Sequence, residues 1–312
     1  MMKTDDFLPE GSYGTLPSVR QALHSLEGLQ RAQDEGRILE APALRCTAAH
    51  DLLFDFGFAR GVMPRACCAL GIAEGQVREI AVLSRVGKPT CFVVTDIDEE
   101  SEPPTVWLSR TAVQLRAQEA LLSSLSPGDI IPAAVTHLEP FGAFVDIGCG
   151  LPSLIGIENL SVSRIYHPSD RLTVGQSIRA AVRSVDVENR RITLTHRELL
   201  GTWEENAALF AAGETVRGIV RSVEPLRRVY RAGAQSFRLA ENREGLTPGT
   251  LVSVYIKSIL PQRMKIKLSV IDILPHTDTP EPPRYFVSGD HIDRWVYTPA
   301  DCDRKYIATE FL

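Results

Sequence analysis

The sequence predicts a mainly β chain, built as three small five-stranded barrels in tandem and joined by short helices. Two observations carry that prediction. The first is internal repetition. Gly128 to Glu139 falls on Gly213 to Glu224 without a gap, and both stretches run on into proline. Gly175 to Thr195 likewise falls on Gly249 to Ser269, so that Val182, Val185, Ile192 and Leu194 meet Ile256, Ile259, Ile266 and Leu268. A weaker copy upstream aligns Gly87–Asp98 with Gly175–Asp186, and Phe54-Asp55-Phe56-Gly57 echoes Val145-Asp146-Ile147-Gly148. The second observation is pattern. Each repeat consists of short alternating or β-branched runs punctuated by Gly, Pro or Asn, which reads as strands and turns. Strands this short and numerous are best closed on themselves, because closure leaves no open edge.

Taken in order, residues 1–35 form an N-terminal segment in which 16–35 reads as a helix. The first barrel spans 36–124. Its last hairpin is lengthened by Glu99 to Pro104, ahead of Val106-Trp107-Leu108-Ser109, and a helix over 110–124 links it to the second. The middle barrel spans 125–200, with strands expected near 129–138, 143–148, 153–157, 177–186 and 190–196 and a helical turn around 161–170. A partly helical linker, Glu198 to Asn206, enters the third barrel, 201–274. In the tail, 275–312, Pro275 to Pro283 is proline-rich and acidic and reads as a linker, and Trp295 is expected to pack the tail onto the third barrel.

Composition narrows the function classes. A net charge of −5 argues against a polycation that coats duplex DNA, although a local patch can still hold RNA. Lys3 is the only basic residue before Arg20 and no apolar run reaches the length of a membrane span, so neither a signal peptide nor membrane contact is expected. The six cysteines show no C-x-x-C spacing, and Cys67 and Cys68 are adjacent. Reduced thiols in a cytoplasmic protein are therefore expected. There is no nucleophile elbow, phosphate loop or zinc signature, and His291, Asp293 and Cys302 lack metal-ligand spacing. No enzymatic activity, cofactor, metal or small-molecule substrate is expected.

One stretch points to a ligand. Phe141 and Phe144 flank Gly142 at the head of an alternating strand in which Val145 and Ile147 take the inward positions, so alternation turns Phe144 outward. Two exposed rings form a platform on which unpaired bases can stack whatever their sequence. The hairpin Val185 to Ile192 adds Asp186 and Arg190, and Arg183 and Arg179 stand opposite the apolar positions of the preceding strand. Core packing of the rings and a plain Asp186–Arg190 surface ion pair remain open alternatives. In the third repeat, Lys257, Lys265, Lys267 and Arg263 form a basic hairpin that suits either RNA contact or protection of an edge.

The middle unit resembles the S1-type RNA-binding domain of the bacterial ribosomal protein S1 family. The resemblance rests on Gly128-Asp129, Phe141-Gly142-Ala143-Phe144-Val145-Asp146, Val174-Gly175-Gln176 and the closing Val185-Asp186, Arg190 and Ile192-Thr193-Leu194-Thr195. The three-unit chain is similar to the short S1-like proteins of Gram-positive bacteria. That resemblance implies OB-fold barrels, binding of single-stranded mRNA, and action in translation at the small ribosomal subunit. It implies a contact face of two aromatics, a histidine, an aspartate and an arginine. These fall on Phe141, Phe144, Gly156 in place of the histidine, Asp186 and Arg190, with Arg183 as a helper. The flanking units lack the platform: the third holds Leu226, Val229, Leu260 and Met264, the first roughly His50, Leu53 and Asp98. One RNA-competent barrel between two scaffolding or protein-binding barrels is thus expected. The rival reading is a protein-interaction adaptor on the ribosome or RNA-degradation machinery, with RNA binding weak or lost.

Overall fold

Ser25 interrupts the expected N-terminal helix. The computed structural model describes residues 7–163, 165–224, 227–232, 235–239, 246–247, 249–275, 282–302 and 305–312, with the backbone alone over 221–239. In it, α1 (Pro17–Ala22) starts on a proline, and α2 (Leu26–Asp34) is capped by the Ser25 side chain, which accepts from Gly28 N at 3.1 Å. The two helices fold back on each other so closely that a Cβ on Gly28 would lie 2.5 Å from the Ala22 carbonyl oxygen. A single helix over 16–35 is therefore replaced by two short helices.

The first unit comprises β1 (Leu39–Pro42), β2 (Arg45–Cys46), β3 (Leu52–Asp55), β4 (Arg60–Met63), the short α3 (Ile80–Leu83), β5 (Pro89–Asp98) and β6 (Thr105–Ser109). These strands form a six-stranded sheet in the order β1-β5-β6-β4-β3-β2 and not the closed five-stranded ring expected. The two edges, β1 and β2, are the halves of one strand divided at Ala43 and Leu44. The division has a chemical cause. Pro42 faces Pro89 at the end of the β1–β5 ladder, and neither has an N–H to extend it. The expected long hairpin is present between β5 and β6, and Ser109 then caps α4 (Arg110–Ser124) by accepting from Ala112 N at 3.1 Å.

In the middle unit, β7 (Ile130–Glu139), β8 (Gly142–Asp146), β9 (Pro152–Gly156), β10 (Ser177–Asp186) and β11 (Arg191–Thr195) close into a barrel in the order β10-β11-β9-β8-β7. The connectivity is that of an OB fold, with β9 and β11 as its one parallel pair. In place of one turn around 161–170, a helical turn α5 (Ile157–Leu160) and a short 3₁₀ turn (Pro168–Asp170) bracket the loop. A capping box of Thr202 and Glu205 starts α6 (Trp203–Ala207) in the linker. The third barrel closes likewise from β12 (Thr215–Glu224), β13 (Arg227–Ala232), β14 (Gln235–Leu239), β15 (Leu251–Leu260) and β16 (Lys265–Ile273). The tail adds the small hairpin β17 (Arg294–Val296) and β18 (Ala308–Glu310). Of the proline-rich segment, 276–281 lies outside the described residues.

The repeat alignment is exact at the level of pairing. Ala181↔Thr195, Val182↔Leu194, Ser184↔Thr193 and Asp186↔Arg191 in the middle barrel correspond to Tyr255↔Ser269, Ile256↔Leu268, Ser258↔Lys267 and Leu260↔Lys265 in the third. Each carries a bulge at the same place, Arg183 in one and Lys257 in the other, and β5 has its own at Thr95. Such bulges bend the strand and place two consecutive residues on one side of it.

Two apolar clusters organise the chain. One is continuous through the first unit, α4 and the middle barrel. The other joins the third barrel to α6 and the tail, where Trp295 and Tyr297 pack with Leu199 and Trp203. Trp295 thus packs into the core that the third barrel shares with the linker and the tail. A buried polar knot pins the N-terminal segment at the first junction. Glu10 pairs with Arg110 at 2.7 Å and with Arg85, while its amide donates to Asp146 Oδ2 at 2.7 Å. Burying these charges is tolerable because each finds partners. Burial, and then the negative charge of Glu10, push the Asp146 carboxyl up to about 7.

Candidate nucleic-acid interface

The face of interest is the outer side of the middle barrel. On β8, Ala143 and Val145 are fully buried while Phe144 between them is half-buried on the opposite side. Phe141, at the strand entrance, is 55% exposed. The two rings meet edge to face, with centroids 6.0 Å apart at 88°. Core packing of this pair is thereby excluded, because Phe141 is open and Phe144 lies outside the barrel wall.

Register extends the face across the sheet. Phe144 is the Cα partner of His137 on β7 and of Leu154 on β9; Leu154 pairs with Thr193 on β11, and Thr193 with Ser184 on β10. The hydroxyls of Ser184 and Thr193 share a hydrogen bond of 2.6 Å. The His137 ring leans on Phe144 at 6.4 Å and its Nε2 lies 2.7 Å from Glu139 Oε1. A band of His137, Phe144, Leu154, Thr193 and Ser184 therefore crosses five strands, with Phe141 at one corner.

His137 was missed in the sequence because strict alternation from the inward Val135 turns it inward. The bulge at Thr136 puts both Thr136 and His137 outside. The same device at Arg183 turns both Arg183 and Ser184 outward. There the Arg183 guanidinium donates to Asn159 Oδ1 at 3.1 Å.

The hairpin residues are arranged differently from the simple pairing of Asp186 with Arg190. Asp186 accepts from the Asn189 backbone at 2.9 Å and from Asn189 Nδ2 at 2.7 Å. Those two bonds, followed by the nearby Arg191, hold its carboxyl below the usual carboxylate range. Arg190 occupies the left-handed region, φ 52°, and reaches back to Gln118 of α4 at 3.2 Å. The cross-strand partner of Asp186 is Arg191, exposed and in line with Thr193 along β11. Arg179 is taken up elsewhere: it donates to the Val287 and Gly289 carbonyls at 2.7 and 2.6 Å and clamps the tail.

At the position of the family histidine, Gly156 leaves a gap that Glu158 fills. A Cβ on Gly156 would lie 2.5 Å from Glu158 Oε1. Glu158 is exposed, and Oε1 accepts from Asn159 Nδ2 at 3.2 Å. Gly156 faces Gly142 directly, and a Cβ on Gly142 would meet the Ile155 carbonyl oxygen at 2.5 Å. This glycine pair lets β8 and β9 approach beside the rings. Among the described residues, no group of three or more His, Cys, Asp or Glu could hold a metal, and no helix is long and apolar enough to cross a membrane.

Comparison with known proteins agrees with this geometry. Residues 124–197 match the family described as the S1 RNA binding domain, the span of the closed middle barrel and its caps. The small ribosomal subunit protein bS1 of Staphylococcus haemolyticus (strain JCSC1435) is 30% identical over 275 residues, covering 82% of this chain and 67% of that protein. The chain belongs to the bacterial ribosomal protein bS1 family. The bS1 protein of Staphylococcus aureus (strain COL) is 28% identical over 271 residues, 81% of this chain and 66% of its own length. The chain thus spans about two thirds of the bS1 relatives it matches. A solved multidomain protein with nucleic acid binding domains from Streptococcus pneumoniae covers 75% of this chain, and the chain 73% of it, at 11% identity and a TM-score of 0.25, too low to bear on how the units are arranged.

Proposed function

We propose that this bS1-family chain binds single-stranded RNA on the outer face of its middle barrel and acts in translation, holding mRNA at the small ribosomal subunit. The observation that carries the reading is the edge-to-face pair of Phe141 and Phe144, one ring open and the other half-covered. A base laid on either ring gains dispersion and sheds water without being read for sequence. Arg191 and Arg183 stand on β11 and β10, each two strands from the Phe144 strand around the closed ring. They are set to contact phosphates or base edges beyond the stacked base. Arg190 flanks the same hairpin tip, and Asp186 shapes that tip through Asn189.

Each stacked base contributes ~1–3 kcal/mol by alanine replacement. The test is titration of a fluorescent oligouridine at fixed salt. Phe144→Ala is expected to weaken binding about tenfold or more, and Phe141→Ala by somewhat less. Unchanged affinity in both variants rejects the platform.

One observation favours the adaptor reading. The Glu158 carboxylate takes the place of a family histidine, and a negative charge there repels phosphate. Ribosome co-sedimentation that survives loss of both phenylalanines supports the adaptor.

A further inference from the structure

We propose that the middle barrel selects RNA over DNA by reading the ribose 2′-hydroxyl with the paired hydroxyls of Ser184 and Thr193. The inference rests on the stacking reading above and names what that face distinguishes. The two residues are partners across β10 and β11, with their side-chain oxygens 2.6 Å apart. Ser184 is exposed and Thr193 half-buried. The bulge at Arg183 turns Ser184 to this side, because strict alternation from the buried Val182 would point it into the core.

The pair has bonding capacity to spare. A hydroxyl offers one donor and two acceptor lone pairs, and the shared hydrogen bond consumes one of the two protons. Neither oxygen has another partner among the described residues. One O–H and several lone pairs therefore remain for a group that both donates and accepts, and a ribose 2′-hydroxyl does both. Position matters as much as chemistry. Thr193 follows Phe144 and Leu154 along one register line, and Arg191 lies further along the same strand. A nucleotide stacked on Phe144 and reaching for Arg191 passes its sugar over the hydroxyls.

A cross-strand hydroxyl pair also steadies a sheet, and the other two units weigh against that as its whole role. The same register position, beside the same bulge, holds Asp96 and Trp107 in the first unit and Ser258 and Lys267 in the third. The hairpin forms in both without the pair, and the pair stands in the unit whose face holds Phe141 and Phe144. Charge sets the three positions further apart. Asp96 repels and Lys267 attracts phosphate, which RNA and DNA share, whereas a neutral pair responds to the one sugar group that differs.

The experiment titrates the whole chain with oligouridine, its 2′-fluoro form and oligodeoxyuridine, all of one length. The fluoro form keeps the sugar pucker of RNA and lacks the hydroxyl proton, so it separates hydrogen bonding from sugar shape. Oligouridine is expected to bind about fivefold tighter than either of the others. Ser184→Ala/Thr193→Val brings oligouridine down to the level of the fluoro form and leaves the fluoro form where it was. Ser184→Thr/Thr193→Ser keeps both hydroxyls and retains the preference, which separates the hydroxyls from the fold. Phe144→Ala weakens all three oligomers alike, so loss of the platform and loss of selectivity are told apart. Equal binding of oligouridine and its fluoro form by the parent chain overturns the proposal. So does a preference that survives in Ser184→Ala/Thr193→Val. A parent chain that binds none of the three overturns the stacking reading and this one together.

Discussion

The middle and third barrels share a strand order, a closing parallel pair and a bulge at the same step, yet the residues at the register positions that form the middle barrel's face differ at nearly every one. Phe144, Leu154, Thr193, Asp186 and Arg191 in the one correspond to Val229, Arg238, Lys267, Leu260 and Lys265 in the other. Inward residues are held by packing, since a change of even one methylene in a close-packed core is felt. Outward residues on a closed barrel carry no such constraint and are free to follow the ligand. The comparison teaches that an OB barrel can keep its strand order, register and core while the residues at its other register positions change class.

The comparison can be strained at the seam both barrels share. His196 is fully buried, its Nε2 lies 3.2 Å from the Tyr285 hydroxyl of the tail, and burial depresses its pKa to about 4. Its charged neighbour Arg171 lowers it further, while the Leu160 carbonyl opposes the shift. The sign follows from linkage. A histidine kept neutral in the fold contributes stability above its unfolded value near 6.5, and that contribution is lost as pH falls through 6.5 toward 4. The loss is ~1.4 kcal/mol per unit, roughly 3 kcal/mol in all. Denaturant midpoints at pH 7 and pH 4.5 should therefore differ less in His196→Gln than in the parent. Equal differences exclude His196 as the source.

A second test separates the two faces by the strand contact beneath the rings. The middle barrel has Gly142 where the third has Arg227, and a Cβ at 142 runs into backbone rather than a flexible side chain. Gly142→Ala is expected to lower stability by about 1–3 kcal/mol, read as a drop in Tm. A neutral result shows that β8 and β9 can part at no cost. The smallest effect is expected at Gly156→His, where the new side chain pushes against the mobile end of Glu158 and removes a carboxylate from beside the rings. Oligouridine binding should tighten about threefold, under ~1 kcal/mol. Weaker binding would mean that Glu158 itself contacts RNA.

Much of this molecule was legible in advance. The ungapped repeats predicted the pairing of β10 with β11 and of β15 with β16, because inward apolar positions at period two define register when one face is buried. The helix over 110–124 was readable because Ser109 supplies a cap and the residues that follow are good helix formers. The outward turn of Phe144 followed from alternation alone. Elsewhere alternation misled. His137 and Ser184 reach the face only through bulges, and a bulge is a count of two residues against one on a partner strand that the local sequence does not name.

The sequence by itself determined the β architecture, the repeats, the outward turn of Phe144 and the basic hairpin of the last barrel, all of which follow from local period and residue type. Only the tertiary structure decided that the first unit's opening strand is split between two partners, that Arg179 is consumed by the tail, that Arg190 turns toward α4 while Arg191 faces Asp186, and that Glu158 fills the gap above Gly156. The reason is common to all four. Each depends on which distant segment comes to lie alongside a residue, and an exposed polar side chain has no burial preference from which its neighbour could be inferred.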